Sequence, residues 1–165
     1  MADIAHDLNH ALGRIPSGIF ILTVSDPSGG RGTGMLASWV QQAGFSPPML
    51  TVALGRDRFV RDWIRASGRF ALNQVRAGDK SLVKHFGRGF APDADAFEGL
   101  ALFEPSASGA PPILGDALAY LVVEPRGEVD VAGTDHVVVL GEVVDGRLLS
   151  EGDPMTHIRK VGSHY

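Results

Sequence analysis

Apolar residues along most of this chain occur in the short runs typical of strands, and only a few segments show the spacing of a helix. Runs rich in β-branched and aromatic residues, several of them continuously apolar, predict strands. We place these strands at residues 18–24, 33–40, 49–54, 70–75, 119–123 and 137–144. Helices are predicted only at residues 3–14, 57–67 and 80–86. Because regular helices do not separate the strands, the pattern favours a mainly β fold with short helices, a closed or half-closed barrel rather than a doubly wound parallel sheet.

Length and composition indicate one domain over residues 1–165. The chain is 44% hydrophobic and 21% charged, which is enough to build an ordinary core. No apolar run approaches the roughly 18 residues that a membrane span requires, and the amino terminus lacks the features of a secretory signal. Cysteine is absent, which excludes disulfides, thiolate chemistry and cysteine-ligated metals. We therefore expect a cytoplasmic protein that does not interact with a membrane.

Charged residues are unevenly distributed along the chain. Residues 56–88 contain nine of the fifteen Lys and Arg residues, whereas residues 89–153 contain thirteen of the nineteen acids. The basic charges are spread over helix and loop, and aromatic residues do not interleave with them, which disfavours nucleic-acid binding. A site for one or two phosphorylated small molecules fits this distribution better.

The stretch RGTGMLASWVQQAGFSPPMLTVALGRDR, residues 31–58, gives the strongest indication of a ligand. Small residues let a backbone approach a flat ring, and the arginines that follow can hold a phosphate, which suggests a flavin nucleotide. Residues 32–37 also match the dinucleotide pattern GxGxxG/A. However, a Gly-rich turn separates them from the preceding strand, and a double proline follows too soon for the required helix. The alternative is a hairpin turn whose glycines supply positive φ.

Three further features admit both a functional and a structural interpretation. His6 and His10 lie one turn apart on a predicted helix, as metal ligands do, but no third ligand is nearby and solvent-facing histidines explain them more simply. Asp135 and His136 precede an apolar strand, where the histidine can donate to a phosphate or carboxamide, or both can be turn residues. Trp39 can stack on a ligand or belong to the core.

The order of several motifs resembles the flavin reductase-like family, whose members have an FMN-binding split barrel. The matching segments are GMLASWVQQAGFSPP, TVAL with its arginine turn, RFALN, KHFGRGFAPDADAFEG, PPILGDALAYL and DHVVVLGEVVDG. Together with the closing HIRKVGSHY, they are most similar to the flavin reductase domain at the carboxyl end of cyanobacterial flavodiiron proteins. The resemblance covers residues 12–165 and implies a Greek-key split barrel that is completed in a homodimer.

The resemblance also implies which residues form the cofactor site. Those expected to line the flavin are Met35, Leu36, Ala37 and Ser38, and those expected to flank its ring or ribityl chain are Val40, Gln41 and Gln42. The phosphate is assigned to the turn Arg56, Asp57 and Arg58. The segment near the flavin or its nicotinamide partner is Lys84, His85 and Phe86. His136 is expected to bind the nicotinamide, with Thr134 where the family has a glycine, and Arg159 and Lys160 are candidates for a positive charge beside the reduced flavin.

The implied activity is hydride transfer from NADH or NADPH to FMN, with reduced flavin supplied to an oxygenase, a diiron protein or another acceptor. Such transfer requires stacked rings roughly 3–3.5 Å apart, so a site without cysteine, metal or paired carboxylates is expected. Two alternatives are open. One is a non-catalytic flavin- or haem-binding module on the same barrel, and the other is an interaction domain with no cofactor.

Overall fold

The computed structural model describes residues 4–104 and 110–163. Within these ranges the chain forms three helices: α1 (Ile4–Gly13), α2 (Val60–Ser67) and α3 (Lys80–Phe86). The strands in the same ranges are β1 (Ser17–Gly18), β2 (Phe20–Val24), β3 (Thr33–Ala37), β4 (Val40–Phe45), β5 (Pro48–Gly55), β6 (Phe70–Gln74), β7 (Leu102–Phe103), β8 (Ile113–Leu114), β9 (Ala119–Val129), β10 (His136–Leu148) and β11 (Thr156–His157). In this described part of the chain, none of the helices is both long enough and apolar enough to cross a bilayer.

Seven strands form one antiparallel sheet in the order β3-β2-β6-β9-β10-β5-β4. The two edge strands, β3 and β4, are consecutive in the chain and are joined only by Ser38 and Trp39. Because neighbouring strands lie about 4.8 Å apart, a two-residue connection cannot span a flat sheet of this width. The sheet therefore curls until its edges approach each other at this corner. The half-closed barrel predicted from the hydrophobic pattern is confirmed.

The barrel interior is filled by alternate residues of its strands. In β5 every second residue is buried, so Leu50, Val52 and Leu54 belong to the main core cluster. Val60 and Ile64 of α2 belong to the same cluster, which places this helix across one end of the barrel. The turn between β5 and α2 is therefore held at both of its ends.

A glycine lets α3 dock closely on β3. A Cβ atom on Gly34 would lie 2.6 Å from the Phe86 ring, so a larger residue would push the helix away. Phe86 is buried in a second core cluster with Leu82 and Phe97. At the other end of the helix, the side chain of Asp79 caps the first turn by accepting from the Ser81 amide at 2.8 Å.

Parts of the sheet differ from the sequence-based prediction. The strand predicted at residues 33–40 is interrupted at Ser38 and Trp39, where the chain turns and continues as β4. This edge strand is mostly exposed and lacks an alternating apolar pattern, so hydrophobicity does not reveal it. β9 and β10 are also longer than predicted, because each extends into exposed residues that pair with the other strand. Residues 105–109, in the connection between β7 and β8, lie outside the described residues.

Candidate functional site

A groove of about 400 Å³ opens at the corner where β3 leads into β4. We call it the β3 groove, and it is lined by Met35, Leu36, Ala37, Ser38, Trp39, Ala53, Gly55, Arg58, Gly87 and His136. Its volume lies within the range of small-molecule sites, roughly 300–1,000 Å³. Sequence-predicted site residues from three separate segments meet here: the end of β3, the turn after β5 and the start of β10.

The sheet register brings these segments together. β5 and β10 are antiparallel neighbours, and His136 pairs with Gly55. The amide of Ala53 donates to the carbonyl of Trp39 at 3.0 Å, which ties the barrel corner to β5. Half of the lining residues are small: Ala37, Ser38, Ala53, Gly55 and Gly87. Much of the wall is thus backbone and small side chains, a surface on which a flat ring can lie.

The first arginine of the turn after β5 is bound to another loop. Nε of Arg56 donates to the carbonyl of Thr134 at 2.9 Å, and its Nη2 donates to the carbonyl of Val131 at 3.0 Å. Its Nη1 lies 2.6 Å from Oδ1 of Asp130. Arg56 does not line the β3 groove. Its guanidinium instead holds the β9–β10 loop that leads directly to His136.

The second arginine of the same turn, Arg58, lines the β3 groove. A Cβ atom on Gly55 would lie 3.4 Å from Cγ of Arg58, and one on Gly89 would lie 3.4 Å from its Nη1. The side chain thus extends from the β5 turn toward the loop after α3. Among the described residues, its guanidinium has neither an ion-pair nor a hydrogen-bond partner, and neither does the exposed carboxylate of Asp57. An exposed guanidinium beside a groove is suited to bind a phosphate.

His136 is half-buried at the first position of β10. Its Nδ1 lies 2.9 Å from Oδ1 of Asp135, and this approach lowers the pKa of the Asp135 carboxyl. The two atoms are within ion-pair distance but are not aligned for a hydrogen bond. Nδ1 is buried and has no hydrogen-bond partner among the described residues. The imidazole packs on Trp39 with ring centroids 4.7 Å apart. An acid and an indole therefore fix the ring at the groove wall.

The remaining arginines of the first half of the basic segment pair with acids of β9 and its loop. Arg61 donates to Glu128 at 2.8 Å and to Asp130 at 3.0 Å, and Arg65 donates to Glu128 at 2.7 Å. Arg69 donates to Oε1 of a further acid, Glu124, at 2.7 Å. We call this surface the arginine face; its members are Arg61, Arg65, Arg69, Glu124, Glu128 and Asp130. The charges that are segregated in the sequence are thus paired in space.

Hydrogen bonds from guanidinium groups shift the titration of all three acids on the arginine face. The pKa of Glu128 is lowered mainly by Arg65 and also by Arg61, and the pKa of Glu124 is lowered mainly by Arg69. The pKa of Asp130 is lowered mainly by Arg56, which lies next to this face. The acids are therefore held in their ionised form.

Three residues of β4 that the resemblance assigns to the cofactor lie next to the β3 groove rather than in it. Val40 and Gln41 line a neighbouring cavity of about 570 Å³, and Gln42 lines a further apolar one. We call the first of these the tail cleft, because its wall includes Thr156 of β11; its other lining residues are Ile15, Pro16, Ser17, Gly18, Ser38, Trp39, Thr51, Ala53 and Val138. Ser38, Trp39 and Ala53 line both cavities, so the two are neighbours across the barrel corner.

The α3 segment also differs from the assignment implied by the resemblance. Phe86 is 1% exposed, so its ring belongs to the core and is not available to a ligand. His85 places Nε2 2.9 Å from the carbonyl oxygen of Ala96, and Lys84 is exposed on the surface. It is Gly87, immediately after the helix, that reaches the β3 groove.

Arg159 is likewise outside the β3 groove. It is 8% exposed, and its Nη1 donates to the carbonyl of Gly162 at 3.0 Å. Its guanidinium lies over the Trp39 ring, with Cζ 5.1 Å from the ring centroid. Arg159 therefore touches the wall of the groove from behind.

Three lining residues, Ala53, Gly55 and Gly87, are missing from the sequence-based assignment. Their contribution is small size, which is common at strand and helix ends and therefore carries no specific signal. Gly87 is also required by its own helix, because a Cβ atom there would lie 2.7 Å from the carbonyl oxygen of Val83. The sequence identified Trp39 as a residue that either stacks on a ligand or belongs to the core. Its position at the barrel corner places it in the groove wall.

Comparison with known proteins gives one consistent result. The family described as "Flavin reductase like domain" matches residues 12–162. Diflavin flavoprotein A 1 of Synechocystis sp. is 42% identical over 96% of this chain, and a diflavin flavoprotein A of Nostoc sp. is 41% identical over all of it. The chain spans only 27% and 28%, respectively, of the lengths of these relatives.

Solved structures share the fold. The NADH:FAD oxidoreductase of Streptomyces globisporus C-1027 superimposes with a TM-score of 0.79 and 25% identity, covering 92% of this chain and 86% of that one. The flavin reductase component of a bacterial two-component tryptophan halogenase superimposes with a TM-score of 0.78 over 96% of this chain and 94% of that one. The latter is 18% identical and shows the fold alone.

Proposed function

The chain belongs to the flavin reductase-like domain family, and from this premise we propose that it binds FMN in the β3 groove and passes a hydride to it from NADH or NADPH. The observation that carries the proposal is the convergence of three features in one groove: a wall of small residues, an Arg58 that no described residue pairs with, and a half-buried His136. Arg58, His136 and the β3 part of the wall come from segments that the resemblance assigns to the site.

The residues present fit a flavin nucleotide. Ala37, Ala53 and Gly55 leave room for a flat ring system against the backbone. Arg58 supplies a cation for the phosphate, and a guanidinium suits this group because it can donate two parallel hydrogen bonds. FMN, when bound, supplies the ring that accepts the hydride, whereas the protein supplies orientation and exclusion of water.

We assign His136 to the nicotinamide. Its Nδ1 faces Asp135, so Nε2 is the nitrogen that can contact a carboxamide. Trp39 and Asp135 restrict the rotation of the imidazole, and Arg56 fixes the loop from which it projects. Hydride transfer needs no acid or base from the protein, so its rate depends on how rigidly the surrounding residues position the two rings.

We further propose that the domain works as a cytoplasmic homodimer whose reduced flavin serves an oxygenase, a diiron protein or another acceptor. Among the described strands β4 has a sheet neighbour on one side only, and Phe45 at its end is 90% exposed. This edge is therefore available to a second subunit. The acceptor is part of the proposal, because the chain spans about a quarter of the length of its diflavin relatives.

Steady-state oxidation of NADH and NADPH, followed by nicotinamide absorbance with and without FMN, tests the activity. We expect FMN-dependent oxidation, and we expect His136→Ala to lower kcat/KM for the nicotinamide by about tenfold with FMN affinity unchanged, since one hydrogen bond to a ligand is lost. His157→Ala, which removes an exposed histidine outside the groove, is the matched control and should have no effect.

Other outcomes would select the alternatives. A protein that retains FMN but oxidises neither nicotinamide would be a binding module, and a sharp Soret band in the purified protein would indicate haem. A colourless protein that cannot retain added FMN would be an interaction domain and would end the proposal.

A further inference from the structure

The segment after β11 is fastened to the amino-terminal helix. The amide of Gly162 donates to both the carbonyl and Oδ1 of Asn9, at 2.7 and 2.8 Å, and the amide of Ser163 donates to the same Oδ1 at 2.8 Å. A Cβ atom on Gly13 would lie 2.8 Å from the backbone of Val161, so the two backbones are in direct contact. This segment, residues 158–163, is therefore a fixed part of the fold. Together with β11, which borders the tail cleft, we call it the tail.

The tail delivers one cation to the back of the barrel corner. Arg159 is 8% exposed, although the residues on either side of it, Ile158 and Lys160, are exposed. Its guanidinium is held by the carbonyl of Gly162 and lies over the Trp39 ring. Burying the one charge and leaving its neighbour in water is favourable because the guanidinium finds both a hydrogen-bond acceptor and an aromatic face.

The ring that Arg159 covers is shared by the two cavities. Trp39 lines both the β3 groove and the tail cleft, and it also packs against His136 at 4.7 Å. Arg159, Trp39 and His136 thus form a continuous series of contacts from the tail to the groove wall. Arg159 is not among the residues that line either cavity, and its described contact with the groove wall is made through the indole.

We propose that Arg159 is a positioning residue, which holds the Trp39 ring in place as the wall of the cofactor site and through it orients His136. This rests on the proposed function and replaces the direct contact with the flavin that the family resemblance suggests for Arg159. The cation–π contact fixes the tilt of the indole, and the tail fixes the cation. An unsupported indole can rotate into either cavity and alter the space left for the ring system.

A double-mutant cycle on FMN affinity separates this role from direct contact. Arg159→Gln is expected to weaken FMN binding about three- to tenfold, the size of one partly buried cation–π contact. Combined with Trp39→Leu, it should produce no further loss, because the intermediary is gone. Lys160, the other tail cation suggested by the resemblance, is exposed and lines neither cavity. Lys160→Gln removes the same charge from this neighbouring position and should leave affinity unchanged. An equal loss from Arg159→Gln in the Trp39→Leu protein, or no loss in the parent, would overturn the proposal.

A readout without flavin keeps this test independent of the proposed function. The chain has two tryptophans, so Trp63→Phe leaves Trp39 as the sole indole emitter. In that protein Arg159→Gln should shift the emission and near-ultraviolet circular dichroism of Trp39, and Lys160→Gln should not. Arg159→Lys keeps the charge but lacks the planar guanidinium, so it should fold and show a partial shift. An unchanged Trp39 spectrum in both Arg159 variants would refute the proposal even if no flavin binds.

Discussion

The arginine face and the β3 groove contain the same kind of side chain in opposite states. On the arginine face, Arg61 and Arg65 converge on Glu128 with N–O distances of 2.8 and 2.7 Å. At the groove, Arg58 has no acidic partner among the described residues, although it is only three positions from Arg61 in the chain. The cations of the arginine face are neutralised by acids of the same protein, whereas the charge of Arg58 is available to a ligand.

The difference teaches where a functional cation can be found in a basic segment. Glu128 of β9 accepts from both Arg61 and Arg65 of α2, and these contacts fasten the helix to the sheet. Arg56 is engaged in the same manner by the loop after β9. Arg58 instead extends toward the loop after α3, where Gly89 lies beside its Nη1. The cation that a phosphate can use is the one that the neighbouring strand leaves unpaired.

The comparison predicts its largest effect at Arg58. Arg58→Ala should raise the dissociation constant of FMN by about 10- to 100-fold, because a charge-assisted contact contributes roughly 1.5–3 kcal/mol. Arg56→Ala and Arg61→Ala should change it by less than about twofold, since their guanidinium groups are already bound to the protein. Flavin fluorescence titration at fixed ionic strength measures all three constants.

The same variants should rank in the reverse order in thermal unfolding. Arg61→Ala leaves Glu128 and Asp130 without their shared donor and should lower the melting temperature more than Arg58→Ala does. If Arg56→Ala weakened FMN as much as Arg58→Ala, the distinction between the two surfaces would be wrong.

A smaller effect concerns acid stability on the arginine face. The pKa of Glu128 is lowered in the folded protein, so its ion pairs add stability above the unfolded pKa of about 4.3 and lose it as pH falls through the folded value. Glu128→Gln should therefore lower the free energy of unfolding at pH 7 by on the order of 1 kcal/mol. The gap to the parent protein should shrink as pH falls below about 4.

Urea unfolding at several pH values measures that gap. Glu151→Gln, at an exposed acid without an ion pair among the described residues, is the control and should leave the stability profile unchanged. A gap for Glu128→Gln that stayed constant down to acid pH would show that its effect is steric rather than electrostatic.

The sequence predicts the elements of the barrel well and its closure poorly. β2 lies within a predicted apolar run, β6 lies within the strand predicted at residues 70–75, and α3 occupies the predicted residues 80–86. The break at Ser38 and Trp39 has no glycine or proline to mark it. It exists because the edges of a curled sheet meet there, which is a property of the whole sheet.

The site shows the same division. The small residues of β3, together with Arg58 and His136, could be proposed from their order in the chain, and they meet in one groove. The resemblance could not separate Arg56 from Arg58, because their difference depends on Asp130 and Thr134, more than seventy positions away. Phe86 was assigned to the ligand for a related reason: its burial in the second core cluster and its contact with Gly34 depend on how α3 docks on the sheet.

The smallest predicted effect sharpens the contrast further, and it concerns Asp57. This exposed carboxylate adjoins Arg58 and has no cation of its own among the described residues, so it repels a phosphate bound there. Asp57→Asn should tighten FMN binding by about twofold at low salt, because exposed charges several ångströms apart interact weakly in water. The gain should vanish near 0.5 M salt, roughly where the screening length falls below the separation of the groups. Asp116→Asn, an equal change of charge in the loop before β9, should leave affinity unaltered; matching gains from both variants would mean that overall charge, and not the position of Asp57, sets the effect.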